Sequence, residues 1–326
     1  MSARHCIGFI RPVGRHCFWS LLARPLSLVT GRCSIALPAF AKINLGLRIL
    51  GKRPDGYHEI RTLYQTVALH DRLSVALIPG QDGIGVECSH SGVPSGRGNL
   101  VFRACEVWKR ARRFRGRIEI CLEKHIPVGS GLGGASSDAA VTLLGLERLS
   151  GDQLDWAKRL RLAASVGSDV PLFFWGGRVL GCGRGEEVYP LDDLPLRHCL
   201  VVFPGFSVAT AKAYREAGLR LTSPSEARRV NSFGVWSRVP LETWGPAEND
   251  FEPVVFAKWP QLARLKRQLL RAGAETALLT GSGSAVYAIF DSAPKLLRAS
   301  KFVPATWQVS RTRTLSRAEY RRLLLG

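Results

Sequence analysis

Apolar and polar positions alternate along two long stretches near the start of the globular part of the chain. Residues 34–50 and 62–78 are rich in alternating or β-branched apolar side chains, and a turn at residues 51–56 containing Gly, Pro and Asp joins them. Side chains on a strand point alternately to its two faces, so this pattern is typical of half-buried strands. We therefore predict two long strands connected by a turn.

The pattern then changes to helical spacing. Apolar residues recur at helical intervals over residues 100–114, and Asn99 stands at the expected N-cap. Residues 117–122 are predicted as a strand, which a Gly- and Ser-rich loop follows. Two further helices are predicted, over residues 139–149 and from a cap at Asp152 to Val166.

The second half of the chain continues this mixture of elements. We predict a strand over residues 199–203, a basic amphipathic helix over 261–271 and a hairpin over 277–290. The Asp- and Pro-rich stretch at residues 190–195 is the expected domain boundary. The order of elements predicts an α+β protein without internal repeats.

We accordingly expect three segments, with residues 1–33 as a basic extension and residues 34–192 and 193–326 as two domains. The extension contains no acidic residue and is rich in Arg, Ser, Cys and Leu. This composition is typical of an organellar transit peptide and fits an upstream start in a bacterial gene equally well. The two origins predict a plastid stroma and a bacterial cytoplasm, respectively.

Composition narrows the class of protein. The chain has 326 residues, 46% of them hydrophobic, which is enough for about two domains and excludes a disordered or fibrous protein. No stretch approaches the roughly 18 to 20 uninterrupted apolar residues that cross a bilayer, so we expect no membrane span. The eight cysteines form no CxxC pair, which favours reduced thiols.

The charge is unusual, with a formal net value of +20 at pH 7. Such an excess indicates an anionic partner, which could be nucleic acid, an anionic membrane or a phosphorylated ligand. The basic runs at residues 109–117 and 311–322 lack the interleaved aromatic side chains that stack on bases. We therefore expect these runs to be solvated helix faces, and a nucleic-acid site stays only as an alternative.

The most informative segment is the Gly- and Ser-rich loop at residues 127–137, between a predicted strand and a predicted helix. Glycines let backbone N–H groups approach an anion, and a helix N-terminus adds a favourable dipole, so this segment predicts a phosphate-binding loop. A Walker A motif is excluded because no GK[ST] sequence is present. A dinucleotide fold is disfavoured because the next acidic residue after Asp138, Glu147, lies inside the following helix.

A second small-residue turn, Gly281-Ser282-Gly283-Ser284, interrupts the predicted hairpin near the C-terminus. Taken alone, this sequence predicts only a turn. Paired with the first loop, it could bring backbone donors to the same phosphates from the second domain.

Four sequence blocks, in order, resemble the GHMP family of small-molecule kinases: PAFAKINL at 38–45, RPDGYH at 53–58, residues 127–138 and residues 278–285. The last two blocks are shared across the family, whereas the first two resemble its diphosphocytidyl branch. The segment Gly167-Ser168-Asp169-Val170-Pro171 matches the short acidic motif of that branch. The resemblance implies an N-terminal domain like ribosomal protein S5 domain 2, a ferredoxin-like C-terminal domain, and an active site between them.

The resemblance also implies the chemistry, which is ATP-dependent phosphorylation of an alcohol. Asp169 would be the general base, and Lys42 would orient it and offset developing negative charge. Mg²⁺ would bridge the ATP phosphates, with Ser137 as a ligand. Asn99 and Lys124 would border the base and ribose of ATP. The ATP phosphates would lie against the two Gly-rich loops, at Pro127, Val128, Gly129, Ser130, Gly131, Leu132, Gly133, Gly134, Ala135, Ser136, Ser137, Gly281, Ser282 and Gly283.

For the second substrate, the resemblance implies a small molecule that carries a cytidine diphosphate group. Tyr57 and Tyr214 would stack on the cytosine, His58 would hydrogen-bond its edge, and Asn44 would lie near the alcohol. The alternatives are a kinase for mevalonate, homoserine or a sugar, a catalytically idle nucleotide-binding protein, and a nucleic-acid-binding protein. Whether the protein is a monomer or a homodimer stays open at this point.

Overall fold

The computed structural model describes residues 33–80, 82–218 and 248–326. Its first element, β1 (Cys33–Lys52), pairs antiparallel with β2 (His58–Ile78) along almost their whole length. The prediction of two long strands joined by a turn is therefore confirmed. Residues 1–32 and the segment 219–247 lie outside the described residues, so the predicted N-terminal extension lies almost wholly outside them too.

The first sheet has six strands in the described part of the chain. Besides β1 and β2, these are β3 (Gly83–Cys88), β4 (Arg117–Glu123), β5 (Arg178–Cys182) and β6 (Glu187–Pro190). The order in the sheet is β3-β4-β2-β5-β6, with β1 paired to β2. The helices that accompany them are α1 (Leu100–Arg112), α2 (Gly134–Ser150) and α3 (Trp156–Val166), followed by a 3-10 turn at Pro171–Phe174.

The second sheet has four strands among the described residues. They are β7 (His198–Phe203), β8 (Thr276–Leu279), β9 (Val286–Phe290) and β10 (Gln308–Arg313), and their order in the sheet is β10-β7-β9-β8. The predicted hairpin is confirmed, because β8 pairs antiparallel with β9. The helices here are α4 (Thr210–Gly218), α5 (Glu252–Lys258), α6 (Pro260–Arg271), α7 (Ala293–Ser300) and α8 (Arg317–Leu325).

Three further predictions about these elements are settled by the structure. Asn99 caps α1, because its side chain accepts a hydrogen bond of 2.9 Å from the Val101 amide. The predicted cap of α3 at Asp152 is wrong, because Asp155 takes that position and accepts from the Lys158 amide. The second basic run is not one helix face, since its first residues belong to strand β10.

The last helix crosses back to the first sheet. Tyr320 and Leu324 of α8 are buried in the same apolar core as Phe40 of β1, and the rings of Phe40 and Tyr320 lie 5.4 Å apart. The Tyr320 hydroxyl donates to the Phe173 carbonyl oxygen at 2.6 Å. The chain from residue 315 onward thus completes the core of the first domain.

A shared apolar core joins the two sheets. Ile43 and Leu63 of the first sheet pack in one cluster with Val201 and Tyr287 of the second. This cluster fixes the position of the loop between β8 and β9 relative to β1. Within the described ranges, no helix is long and apolar enough to cross a membrane.

Candidate active site

The Gly-rich loop leads directly into α2. Gly133 lies just before the helix with φ +73°, and no side chain caps the first turn. The first amide groups of α2 therefore have no side-chain partner, and such groups bind anions. Gly129 and Gly131 also have positive φ, at +70° and +85°, which favours glycine at both positions. The predicted phosphate loop has the required backbone geometry.

The second small-residue turn lies against the first, as the sequence suggested. The Thr280 hydroxyl donates to the Gly131 carbonyl oxygen at 3.2 Å, and the Ala285 amide donates to the Ser130 carbonyl oxygen at 3.1 Å. A Cβ at position 131 would overlap the Thr280 carbonyl oxygen, so this contact requires glycine. The two loops form one surface between the domains.

Lys42 and Asp169 lie together beside this surface. The Lys42 ammonium nitrogen is 3.7 Å from Asp169 Oδ2, and the two side chains are 4% and 31% exposed. The Tyr64 hydroxyl donates to Asp169 Oδ1 at 3.0 Å. The Lys42 amide also donates to the Leu132 carbonyl oxygen at 2.9 Å, which ties the lysine to the phosphate loop.

Burial changes the protonation of the groups around Asp169. It lowers the pKa of Lys42, and the nearby Asp169 carboxylate partly offsets this effect. Burial raises the pKa of Tyr64 well above its usual value, and Asp169 adds to that rise. Tyr64 is therefore a hydrogen-bond donor at neutral pH, while Asp169 keeps a solvent-facing fraction through which a substrate can reach it.

Asn44 is 1% exposed and joins several parts of this site. Its Oδ1 accepts hydrogen bonds from Lys42 Nζ at 2.7 Å, the Gly281 amide at 2.8 Å and the Thr280 hydroxyl at 3.2 Å. Its Nδ2 donates to the Thr62 hydroxyl at 2.8 Å. In this arrangement Asn44 positions Lys42 and the second loop.

Lys124 is engaged in a buried cluster of charges next to the phosphate loop. Its ammonium contacts Asp71, and it contacts Asp138 at 2.7 Å. Two carboxylates raise the pKa of Lys124 despite its burial. Burial raises the pKa of Asp138 to about 7, and the neighbouring Asp71 carboxylate adds to the rise while Lys124 opposes it. The Lys124 side chain, which the resemblance places at the border of the nucleotide, thus forms a buried ion triad with Asp71 and Asp138.

Asn99 and Ser137 differ in what their side chains offer a ligand. Both ends of the Asn99 amide are used, by the Val101 amide and by the Pro94 carbonyl oxygen. The Ser137 hydroxyl oxygen is buried at the start of α2 and has no hydrogen-bond partner among the described residues. An unpartnered hydroxyl beside a phosphate loop suits a hard cation such as Mg²⁺. No cluster of three or more His, Cys, Asp or Glu suited to a metal occurs in the ranges that the structure describes.

The residues predicted to bind cytosine lie at the open side of the site. His58 stacks on Tyr214, with ring centroids 4.9 Å apart and an angle of 14°. Tyr57 is 54% exposed, and the Arg184 guanidinium lies 4.7 Å from its ring centroid. Burial raises the pKa of Tyr214, and Asp169 contributes to that rise, so Tyr214 lies within electrostatic reach of Asp169.

Sequence reasoning missed Arg184 and Tyr64. Arg184 lies in the turn between β5 and β6, and Gly185 beside it packs against the Tyr64 hydroxyl. The only signal in the sequence was the small-residue spacing of Gly183-Arg184-Gly185, which by itself predicts a turn. A carboxylate, an ammonium group, two Gly-rich loops in contact and an exposed tyrosine ring are together suited to phosphoryl transfer to an alcohol.

Comparison with known proteins decides the family. The models of the GHMP kinases N terminal domain and the GHMP kinases C terminal domain match residues 99–177 and 241–308. A protein of Solibacter usitatus named 4-diphosphocytidyl-2-C-methyl-D-erythritol kinase is 43% identical over 295 residues, covering 88% of this chain and 90% of its own length. The chain belongs to the GHMP kinase family, in its 4-diphosphocytidyl-2-C-methyl-D-erythritol kinase branch.

Further relatives of this GHMP kinase agree with the assignment. The protein of the same name from Geobacter sulfurreducens is 38% identical, over 86% of this chain and 99% of its own. A crystal structure of 4-(cytidine 5'-diphospho)-2C-methyl-D-erythritol kinase matches with a TM-score of 0.69 and 33% identity, over 86% of this chain and 99% of that one. The Cytophaga hutchinsonii homoserine kinase matches at a TM-score of 0.68 and 19% identity, over 90% and 98% of the two chains, and shares the fold. The expected α+β GHMP kinase fold is confirmed.

Proposed function

We propose that this protein transfers the γ-phosphoryl group of ATP to the 2-hydroxyl of 4-diphosphocytidyl-2-C-methyl-D-erythritol. The products are the 2-phosphate and ADP, in the non-mevalonate route to isopentenyl diphosphate. The observation that carries the proposal is the Lys42–Asp169 pair, 3.7 Å apart at the junction of the two loops. The names of the relatives supply the substrate.

Asp169 is the proposed general base. Its carboxylate accepts the proton of the 2-hydroxyl while the hydroxyl oxygen attacks the γ-phosphorus in line. The bond from the γ-phosphorus to the bridging oxygen breaks, and ADP leaves. The Tyr64 hydroxyl, which donates to Asp169 Oδ1, keeps the carboxylate oriented.

Lys42 supplies the positive charge next to the transferring group. Asn44 holds its ammonium at 2.7 Å, so the charge is in place before the reaction begins. Preorganised charge of this kind stabilises a transition state without a cost of reorganisation. The first turn of α2 and the turn at residues 281–283 hold the ATP phosphates through backbone N–H groups.

Mg²⁺ fits the same loop. The buried Ser137 hydroxyl, which lacks a partner among the described residues, would hold it. When bound, the cation would neutralise charge on the β- and γ-phosphates.

The cytidine group occupies the open side of the site, where the exposed ring of Tyr57 offers a stacking face and His58, stacked on Tyr214, offers a polar edge. The Arg184 guanidinium lies over the Tyr57 ring and pairs with Glu186 at 3.0 Å, and its remaining N–H groups would bind the substrate diphosphate. Because the relatives named above are bacterial, we place the reaction in a bacterial cytoplasm.

The decisive experiment measures ADP release with Mg-ATP and each of four alcohols: the cytidyl substrate, mevalonate, homoserine and galactose. We expect turnover with the cytidyl substrate alone and its loss in Asp169→Asn. Turnover confined to another alcohol would overturn the assigned substrate and keep the kinase. Turnover with none of the four would overturn the kinase assignment.

A further inference from the structure

A second cavity lies away from the loops and side chains assigned to phosphoryl transfer. It has a volume of about 660 Å³ and lies where β2 and the end of β4 meet β7, β10 and α7. Neither Lys42, Asp169 nor any residue of the phosphate loop lines it. This volume is in the range of pockets that hold small molecules.

The polar lining of this cavity is basic. It includes three arginines and three histidines and no acidic residue: His70, Arg72, His125, His198, Arg311 and Arg313. Two carboxylates contact lining residues, since Glu123 lies 3.0 Å from the His125 ring and Glu319 binds both ends of the Arg313 guanidinium at 2.6 Å. Among the described residues, no other carboxylate forms an ion pair with a side chain of the lining.

Of the three arginines in the lining, Arg72 and Arg311 are the two without a carboxylate partner among the described residues. Arg72 forms no ion pair or side-chain hydrogen bond with another residue that the structure describes. Arg311 contacts the Ser300 hydroxyl, at 3.2 Å, and no carboxylate in the described part of the chain. Both line the same cavity, Arg72 from β2 and Arg311 from β10, and a guanidinium group binds an anionic group through several N–H donors.

Apolar side chains from α7 and β2 also line the cavity. Leu69, Leu296 and Leu297 line the same cavity, and Leu297 is 48% exposed although it is a large apolar side chain. An exposed leucine next to unpaired guanidinium groups matches a ligand with an apolar part and an anionic part.

We propose that this cavity binds a small amphiphilic anion, namely a phosphate or diphosphate group on a short hydrocarbon chain. Arg72 and Arg311 hold the anionic group, and Leu297 covers the hydrocarbon. The site is separate from the proposed kinase site, and the proposal does not depend on the substrate of the kinase.

The test is calorimetric titration of the whole protein with three probes: pentyl diphosphate, inorganic pyrophosphate and pentanol. The protein is first saturated with the ATP analogue AMP-PNP, so that the phosphate loop is filled. We expect one site for pentyl diphosphate per chain, with about tenfold weaker binding of pyrophosphate and none of pentanol. Loss of pentyl diphosphate binding on adding AMP-PNP would assign the probe to the phosphate loop and overturn the proposal.

Two sets of variants separate the roles of the lining. Arg72→Gln and Arg311→Gln should each weaken pentyl diphosphate binding about tenfold, whereas Arg298→Gln, an exposed arginine of α7 outside the lining, should not. Leu297→Ser should weaken pentyl diphosphate and leave pyrophosphate unchanged, and Leu325→Ser serves as its exposed control. Equal binding by all variants, or equal affinity for pyrophosphate and pentyl diphosphate, would overturn the proposal. Thermal unfolding of each variant checks that the fold is intact.

Discussion

The side-chain oxygen of Asn44 lies 2.7 Å from the ammonium nitrogen of Lys42 and accepts its hydrogen bond. The same oxygen accepts the Gly281 amide from the second domain at 2.8 Å. One side chain of β1 therefore holds both the ammonium of the proposed catalytic lysine and the backbone of the second loop.

Replacing Asn44 by Ala removes the acceptor of both bonds. We expect kcat to fall by on the order of tenfold or more, with a smaller change in the KM for the cytidyl substrate, because the ammonium loses its fixed position. Steady-state kinetics measures the two constants separately. A rise in KM at unchanged kcat would show instead that Asn44 contacts the alcohol directly.

Asp169→Asn keeps the size of the side chain and removes the proposed base. Turnover should fall by on the order of 10²- to 10⁴-fold while ATP binding persists. Tyr64→Phe is the matched control, because it deletes only the donor to Asp169 Oδ1 and should cost much less. Near-normal turnover in Asp169→Asn would remove this residue from the role of base.

Gly131→Ala tests the contact between the two loops. The added methyl group would overlap the Thr280 carbonyl oxygen, so we expect the KM for ATP to rise and the protein to lose stability. Gly151→Ala is the control, because Gly151 also has positive φ but a Cβ at this position would meet no atom within 4 Å. Similar losses in the two variants would mean that backbone strain, and not the loop contact, is responsible.

Tyr57→Ala should raise the KM for the cytidyl substrate and leave the KM for ATP nearly unchanged, because the exposed Tyr57 ring is a proposed stacking surface. Arg184→Gln removes the charge above that ring and should raise the KM for the same substrate. As a check, Arg184→Gln should weaken competitive inhibition by cytidine diphosphate more than competitive inhibition by cytidine, because only the diphosphate carries negative charge. A larger effect of Tyr57→Ala on ATP would place ATP, and not cytosine, at this ring.

The charge cluster at Asp138 predicts a dependence of stability on pH. The pKa of Asp138 is raised from 3.8 to about 7 in the folded protein. Between about pH 4 and pH 7, the Asp138 carboxyl group is therefore protonated in the folded state and ionised in the unfolded state. Its contribution to the unfolding free energy is therefore present at low pH and is lost as the pH rises through 7. Asp138→Asn should flatten the fall in stability between about pH 4 and 7, by at most about 1.4 kcal/mol per pH unit. Equal slopes for the two proteins in chemical unfolding would refute this.

The sequence patterns predicted long elements better than short ones. β1 and β2 alternate over many residues, so their pairing was predictable, and the cap at Asn99 followed from residue type and spacing. β5 and β6 have five and four residues and lie close to glycines, so no local period distinguishes them from a loop. Tertiary pairing with β2 makes β5 a strand.

The residues of the candidate site also divide into those that the sequence predicted and those that only the structure shows. The resemblance to the GHMP family implied that Lys42 and Asp169 belong to one site, but it contained no information on which partners hold them. Tyr64 looks like any apolar position of an alternating strand, and Arg184 like any turn residue. Only the folded chain shows that one contacts Asp169 and the other covers Tyr57.

The return of α8 to the first sheet has a consequence for biosynthesis. Tyr320 and Leu324 fill the core that Phe40 begins, so a nascent chain still in the ribosome lacks part of its first domain. The two domains of this kinase therefore cannot mature one after the other as they leave the exit tunnel. Final packing of β1, the first strand that the structure describes, waits until α8 has emerged, and until then the apolar face around Phe40 lacks part of its cover.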